Sequence, residues 1–374
     1  MYKHIFFYCA FCLYIATSCK KEDPTNPNIK TEPKNFVCND ALLSTDGSCF
    51  IIAGSTYVST TDINISIQKI NILTGEVLWN TIIGGSGTDK SYRIIETADA
   101  YLIGGISNTA PALNFDLHLS KLDKNGNILW SHIYGGANDE TIGNMAIQSN
   151  GDIIISGTTN SYGAGSRDII LYKIDAAGNE ISHITYGGAL NDGSSDLINH
   201  RDTLYVLGYT NNLGHGDRDM WLLCVDNNLD TTWTKTIGTV EYEEAGRIHL
   251  TSDKNILLCG HTGTFPMHSG FLGKYDLQGN AIFEKTYGAG DHDGFEDCIQ
   301  SSNNTIMCVG YTSSYGNQEQ AYMVKTDTNG NLISTDYSGD NSNQRLYRVL
   351  EDGSTFYFLG NTDDNDAYIQ KASK

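Results

Sequence analysis

From residue 36 onward the apolar residues fall into short runs, many of them alternating with polar residues and separated by Gly, Asn, Asp and Ser. No stretch keeps a helical period, so the pattern predicts strands throughout. The runs repeat with a spacing of about 51 residues. One landmark is a run ending in Gly with Ser or Thr two positions later, at Gly54, Gly105, Gly157, Gly208, Gly260, Gly310 and Gly360. A second leads through a turn to a bulky residue, as in KINILTGEVLW (69–79) and KLDKNGNILW (121–130); its Asn-Gly steps are hairpin signals. A third closes the unit with triplets such as IGG at 83, YGG at 134 and YGG at 186.

Each period therefore holds four strand-sized pieces, which predicts an all-β chain folded as a seven-bladed β-propeller with four antiparallel strands per blade over residues 36–374. The Gly landmark occurs seven times, whereas the two later landmarks are complete only six times, so the last unit lacks a fourth strand. Residues around Asn28 to Glu32 sit where that strand would fall, and an N-terminal strand is expected to close the ring. Pro27 and Pro33 are tolerable there because the outer strand of a blade is an edge.

The units resemble kelch-type blades and the propeller repeats of bacterial secreted or surface lipoproteins. The stretch NILTGEVLW (71–79) also resembles the tryptophan-docking motif of quinoprotein-like propellers, with Trp79, Trp130 and Trp233 in the docking position, Phe283 as a substitute, and Ser182 and Ser334 as departures. That resemblance implies that the tryptophans pack between neighbouring blades. It carries fold rather than function, because propellers host enzymes, lectins and scaffolds alike.

The first residues, MYKHIFFYCAFCLYIATSC, combine a basic start at Lys3, an apolar run from Ile5 to Ala16 and small residues before Cys19. They resemble a bacterial lipoprotein signal. The resemblance implies removal of residues 1–18, lipidation of Cys19, a polar tether over 19–35, and an outer-membrane lipid anchor with the domain periplasmic or at the cell surface. No later stretch approaches the roughly 20 apolar residues of a spanning helix. The run Lys20, Lys21, Glu22 and Asp23 is similar to surface-export signals of some Gram-negative lipoproteins.

Composition narrows the partners. A net charge of −20 repels phosphate backbones and argues against nucleic acid, leaving glycans, basic protein surfaces and cations. Of nine cysteines, Cys38, Cys49, Cys224, Cys259, Cys298 and Cys308 lie in the predicted propeller; their even number permits disulfides, Cys298 and Cys308 could face each other across a hairpin, and buried free thiols suit most of the six better.

No nucleotide loop, zinc-spaced cluster or nucleophile elbow appears. The repeated polar feature is an acid after each closing triplet: Asp89, Asp139, Asp192, Glu243 and Asp293, with Asn343 in the sixth place. The loop between second and third strands lies on the same face and presents Arg167, Asp168, Arg218 and Asp219. These nine charged residues are the candidate ligand site. The plainer account is that each acid caps its own turn. Calcium is a lesser expectation, raised by DHDGFED (291–297) and the Asp-Asn-Gly turns without a full ligand spacing. The sequence thus points to a monomeric, non-catalytic binding or scaffolding propeller for glycan or protein, the alternatives being a hydrolase with paired carboxylates at the propeller mouth and an outer-membrane assembly factor.

Overall fold

The computed structural model describes residues 36–109, 114–264, 267–316, 318–338, 343–362 and 367–374. These form seven antiparallel sheets in a ring and no helix, with blades over residues 36–83, 89–134, 140–186, 192–237, 243–287, 293–338 and 344–373. Six blades have four strands in simple sequential order; among the described residues the seventh has three. The strand expected around residues 28–32, the tether and Cys19 lie outside the described residues.

The first strands of neighbouring blades touch all the way round, blade 1 with blade 7 included, so these are the inner strands and the ring closes. Closure shows in side chains too: Phe36 and Phe50 of blade 1 pack with Tyr357, Leu359 and Ile369 of blade 7, and Asn361 Nδ2 donates to the Cys38 carbonyl at 2.9 Å.

The core is divided into seven wedges, one between each pair of blades. Second and third strands are covered by blades on both faces and are buried along most of their length; every residue of the second strand Ile153–Thr159 is buried. Outer strands have one face in solvent and alternate, as in Val77–Ile83. Each fully buried aliphatic side chain contributes about 1.5–3 kcal/mol, so truncating Leu207 to Ala in the wedge between blades 4 and 5 should cost about 2–5 kcal/mol.

The Gly landmark has a specific cause. Every inner strand slips register by a bulge, and this pushes a carbonyl against the landmark glycine. A side chain at Gly105, Gly208 or Gly310 would collide with the Lys90, Gly193 or Gly294 carbonyl. The tryptophans dock between blades as the quinoprotein resemblance implies. Trp79 lies against Gly126, Trp130 against Gly178 and Trp233 against Gly279 of the next blade's outer hairpin, with Phe283 against Gly330.

These outer hairpins are tied by an Asp at their start. Asp123, Asp175, Asp226, Asp276 and Asp327 each accept two N–H groups across the turn. The side-chain amides of Asn127, Asn179, Asn280 and Asn331, together with those N–H groups, hold the carboxyls of Asp123, Asp175, Asp276 and Asp327 below the usual range. All six cysteines are buried free thiols. Cys298 and Cys308 do sit opposite one another in the hairpin, and burial pushes both well up from the ordinary thiol range.

Candidate functional site

The chain crosses from one blade to the next on a single face, where the loops between second and third strands also lie. Parallel bridges join the two loop sets at Ile63 and Thr88, Arg167 and Asn191, and Arg218 and Tyr242. The nine candidate residues therefore do share a face.

Most are committed to the backbone. Asp89, Asp192, Glu243 and Asp293 are buried. They accept N–H groups from the closing triplet at Gly85 (3.2 Å), Gly188 (2.8 Å), Thr239 (3.1 Å) and Ala289 (3.0 Å). In blade 3 this position belongs to Glu140, which is fully buried and accepts from Gly136 N at 2.9 Å. Asp139, one residue earlier, is exposed and accepts from Phe115 N instead. Asn343 does the same for Glu319 N, which makes it the counterpart of Asp139 and not of the caps. The two-residue stretch Asp139-Glu140 hid this offset.

Asp168 and Asp219 begin third strands, are buried, and cap Gly165 N and His215 N. They form carboxyl pairs with the caps of the following blade. A side chain at Gly187 would collide with Asp168 and Asp192, one at Gly238 with Asp219 and Glu243, and one at Gly135 with Asp116 and Glu140. In the last pair burial, then the Glu140 carboxylate, raises Asp116 to about 6. Arg167 is exposed and shares a cavity of about 270 Å³ with Asp139 and Tyr209.

Two features were missed by sequence reasoning. The first is on the axis. One residue beyond each bulge, or within it in blade 5, every inner strand presents a polar side chain: Asp40, Arg93, Asn144, Asp196, Arg247, Asp297 and Arg348. Arg247 Nη2 crosses the ring to Asp40 Oδ1 at 3.1 Å, and Arg348 bridges Asp40 (3.3 Å) and Asp297 (3.2 Å). His249 Nε2 meets Asp297 Oδ1 at 2.7 Å.

The three acids also lock successive blades, accepting Ile94 N (3.2 Å), Ile248 N (3.0 Å) and Val349 N (3.0 Å). Burial alone would raise Asp297, but Arg348 and His249 outweigh it and hold the carboxyl well below its usual range. Burial would likewise depress Arg247, and Asp40 and Asp297 reverse that. Above this ring, on the crossover face, is an axial cavity of about 260 Å³ lined by Asn39, Arg93, Ser194, Ser195, Arg247, Glu296 and Tyr347 among others.

The second feature adjoins it. A cavity of about 550 Å³ opens over blades 4 to 6, and Glu296 lines both cavities. Its walls carry His261, His268, His292, Tyr242, Tyr311, Glu244 and Arg345. The rings of His261 and His268 stack at 4.6 Å with 4° between planes, and His292 lies 4.7 Å from His268. Tyr311 Oη is 3.3 Å from His261 Nδ1.

The charged groups are held from behind. Arg345 donates Nε and Nη2 to Glu319, both at 2.8 Å, and covers the Tyr311 ring at 3.9 Å. Arg218 lies 3.9 Å over Tyr209 and 4.9 Å from the Tyr242 ring, and pairs with Glu244 at 3.8 Å. Tyr242 Oη donates to Glu244 Oε2 at 3.0 Å.

Burial, followed by the neighbouring His268 and His292, lowers His261 to about 3. Burial and His292 lower His268 as well, so the stacked pair His261 and His268 is neutral at physiological pH. Burial raises Glu296. Flat neutral rings, hydroxyls and carboxyls thus converge on one concave space, an arrangement suited to a ligand rich in hydroxyl groups. Among the described residues no group of three or more His, Cys, Asp or Glu is placed to hold a metal ion.

A sequence signal for this site existed. Tyr209, His261 and Tyr311 are the middle residues of the Gly-x-Thr landmark in blades 4, 5 and 6. The variable letter inside the repeated motif lines this cavity at His261 and Tyr311 and the cavity beside Arg167 at Tyr209.

No family model and no curated protein sequence matches the chain. Solved structures do. A polysaccharide lyase, Uly1, aligns with a TM-score of 0.57 at 9% identity over 97% of each chain. The WD40 propeller domain of Doa1 aligns at 0.54 and 11% identity, over 96% of this chain and 97% of that one. A europium-containing methanol dehydrogenase aligns at 0.52 and 9% identity, over 88% of this chain and 79% of that one. The likeness is one of fold alone. Enzymes and a WD40 domain share this architecture, so the site must carry any functional argument.

Proposed function

We propose that this protein is a carbohydrate-recognition propeller whose binding site is the cavity over blades 4 to 6 on the crossover face. The observation that supports it is the stack of His261, His268 and His292 facing Tyr242, Tyr311, Glu244 and Glu296 in one open cavity of about 550 Å³. Sugar rings present apolar faces that pack on flat side chains, and hydroxyls that exchange hydrogen bonds with carboxyls and imidazoles. Most of the acids repeated on this face are turn caps, so recognition is assigned to the residues that differ between blades. An anchor at Cys19 would hold this face near other envelope glycans; replacing Cys19 with Ala and finding the protein still membrane-bound would sink that part.

The test is a glycan array followed by calorimetric titration of the soluble chain, wild type against a Tyr242→Ala/Glu244→Gln variant. Both side chains are partly or fully exposed, so the melting temperature should hold while affinity falls about tenfold or more. Unchanged affinity for every glycan captured by the wild type would overturn the assignment.

A hydrolase is the second reading, and one observation favours it. Glu296 and Glu244 line the same wall, each paired with an arginine, Arg345 at 3.4 Å and Arg218 at 3.8 Å, and burial raises the Glu296 carboxyl. Two carboxyls in one cavity are what acid-catalysed glycoside cleavage requires. Product release from a captured glycan, abolished by Glu296→Gln, would establish this reading; capture without cleavage leaves the recognition module.

A further inference from the structure

The axial ring is not uniformly paired. On the side of blades 1, 5, 6 and 7, Asp40, Arg247, Asp297 and Arg348 are joined by ion pairs between 3.1 and 3.3 Å. Across the ring Asp196 is satisfied by neutral donors, the Asn144 side chain and the Ile248 and Leu197 N–H groups. Arg93 is left with backbone carbonyls. Its Nη1 donates to the Tyr92 carbonyl at 2.9 Å and its Nη2 to that of Ser195 at 3.1 Å.

Among the described residues no carboxylate lies within ion-pair distance of Arg93, the one ring arginine so placed. A guanidinium carries five N–H donors, so some remain for a ligand. Arg93 lines the axial cavity, beside the hydroxyl-bearing Ser194 and Ser195 and the Asn39 amide.

We propose that the axial cavity is a carboxylate-binding subsite, with Arg93 as its anchor, for the acidic group of a ligand whose body occupies the adjoining cavity over blades 4 to 6. The proposal rests on the carbohydrate reading of that cavity and narrows its ligand to sugar acids.

Geometry and charge agree. The two cavities adjoin at Glu296, which lines both. A planar carboxylate matches the fork of a guanidinium. A monoanion also suits a protein of net charge −20 better than a phosphate does, because a second negative charge adds repulsion without adding a donor. Burial and the nearby Arg247 lower Arg93 to about 10, and the more distant Asp196 and Asp40 offset this only in part. A bound carboxylate would add the close counter-ion. Glu296, paired with Arg345 at 3.4 Å, faces the hydroxyl groups of the ligand's body.

The test compares glucuronate, its uncharged methyl ester and glucose by titration calorimetry or ligand-observed NMR, using the wild type, Arg93→Gln and Arg93→Lys. Wild type should bind glucuronate about tenfold more tightly than the ester. Arg93→Gln should erase the difference, and Arg93→Lys should keep only part of it because the charge remains while the fork is lost. Equal binding of acid and ester by the wild type would overturn the proposal even if a variant failed to fold, as would a preference that survives Arg93→Gln.

The failures separate cleanly. If neutral sugars bind and lose affinity in Tyr242→Ala/Glu244→Gln while the acid gains nothing, the carbohydrate reading stands and the carboxylate subsite falls. If glucuronate binding depends on Arg93 but ignores Tyr242 and Glu244, the subsite is a general organic-acid site and the carbohydrate reading falls.

Discussion

The axis and the cavity beside it are built from the same inner strands, yet they treat charge in opposite ways. On the axis three acids meet three arginines, and most of those charges are spent on one another or on backbone N–H groups of the next blade. In the cavity, Arg345 is fixed from behind by Glu319 and Arg218 is paired with the wall residue Glu244, while rings and hydroxyls line the open space. The ring joins blades, so it belongs to stability. The cavity is held by wedges that do not need its lining, so its residues are free to differ between blades. Arg93 is the exception that lies on both sides of this division.

The largest effect should come from breaking the ring. Asp297→Ala removes the partner of Arg348 and His249 and the acceptor for Val349 N. Arg348 keeps Asp40 at 3.3 Å, but breaking a buried pair of this kind still costs up to about 3–5 kcal/mol, read from urea unfolding. A loss below about 1 kcal/mol would mean that water already satisfies the ring and that the wedges alone close it.

Next come the turn caps. Asp293 accepts Ala289 N, the Ser314 hydroxyl and the Thr312 hydroxyl. Asp293→Asn keeps the shape but turns one acceptor into a donor, and should cost about 1–3 kcal/mol. A cost near zero together with weakened glycan binding would return the cap to the ligand site.

A smaller effect should depend on pH. Asp116 has its folded-state value raised to about 6, so its contribution to stability is present in full below the unfolded value of about 3.9 and is lost as pH rises through 6. Measured as the difference in melting temperature between wild type and Asp116→Asn, the wild type should lose ground between pH 4 and pH 7. A flat difference would show that Asp116 and Glu140 share no proton.

The smallest effect on stability should come from the cavity. His292→Ala removes one ring from the stack and should change unfolding by about 0.5 kcal/mol or less, as for other side chains outside the packed core, while weakening capture of any glycan. If stability fell as far as for Asp297→Ala, cavity and ring would be one structural unit.

The order of legibility follows from this division. The period of about 51 residues, the seven Gly landmarks and the docking tryptophans could be read because the same geometric demand recurs in each blade and selects the same residue. The candidate acids could be read for the same reason, which is also why most of them turned out to serve the backbone. Repetition reports what every blade needs.

The axial ring repeats just as regularly, four positions after each cap, but its letters change from Asp to Arg to Asn because each complements residues on other blades. Asp40 and Arg247 are 207 residues apart, and no local pattern links them. The histidine stack is likewise made from the end of one strand, the loop that leads to the next and a crossover loop. Sequence alone determined the strands, their number per blade and the seven-fold count, through local periodicity and close backbone approach. Which polar residues meet was decided only when ring closure brought distant inner strands to a common axis, because charge pairing depends on distance in space and not on spacing along the chain.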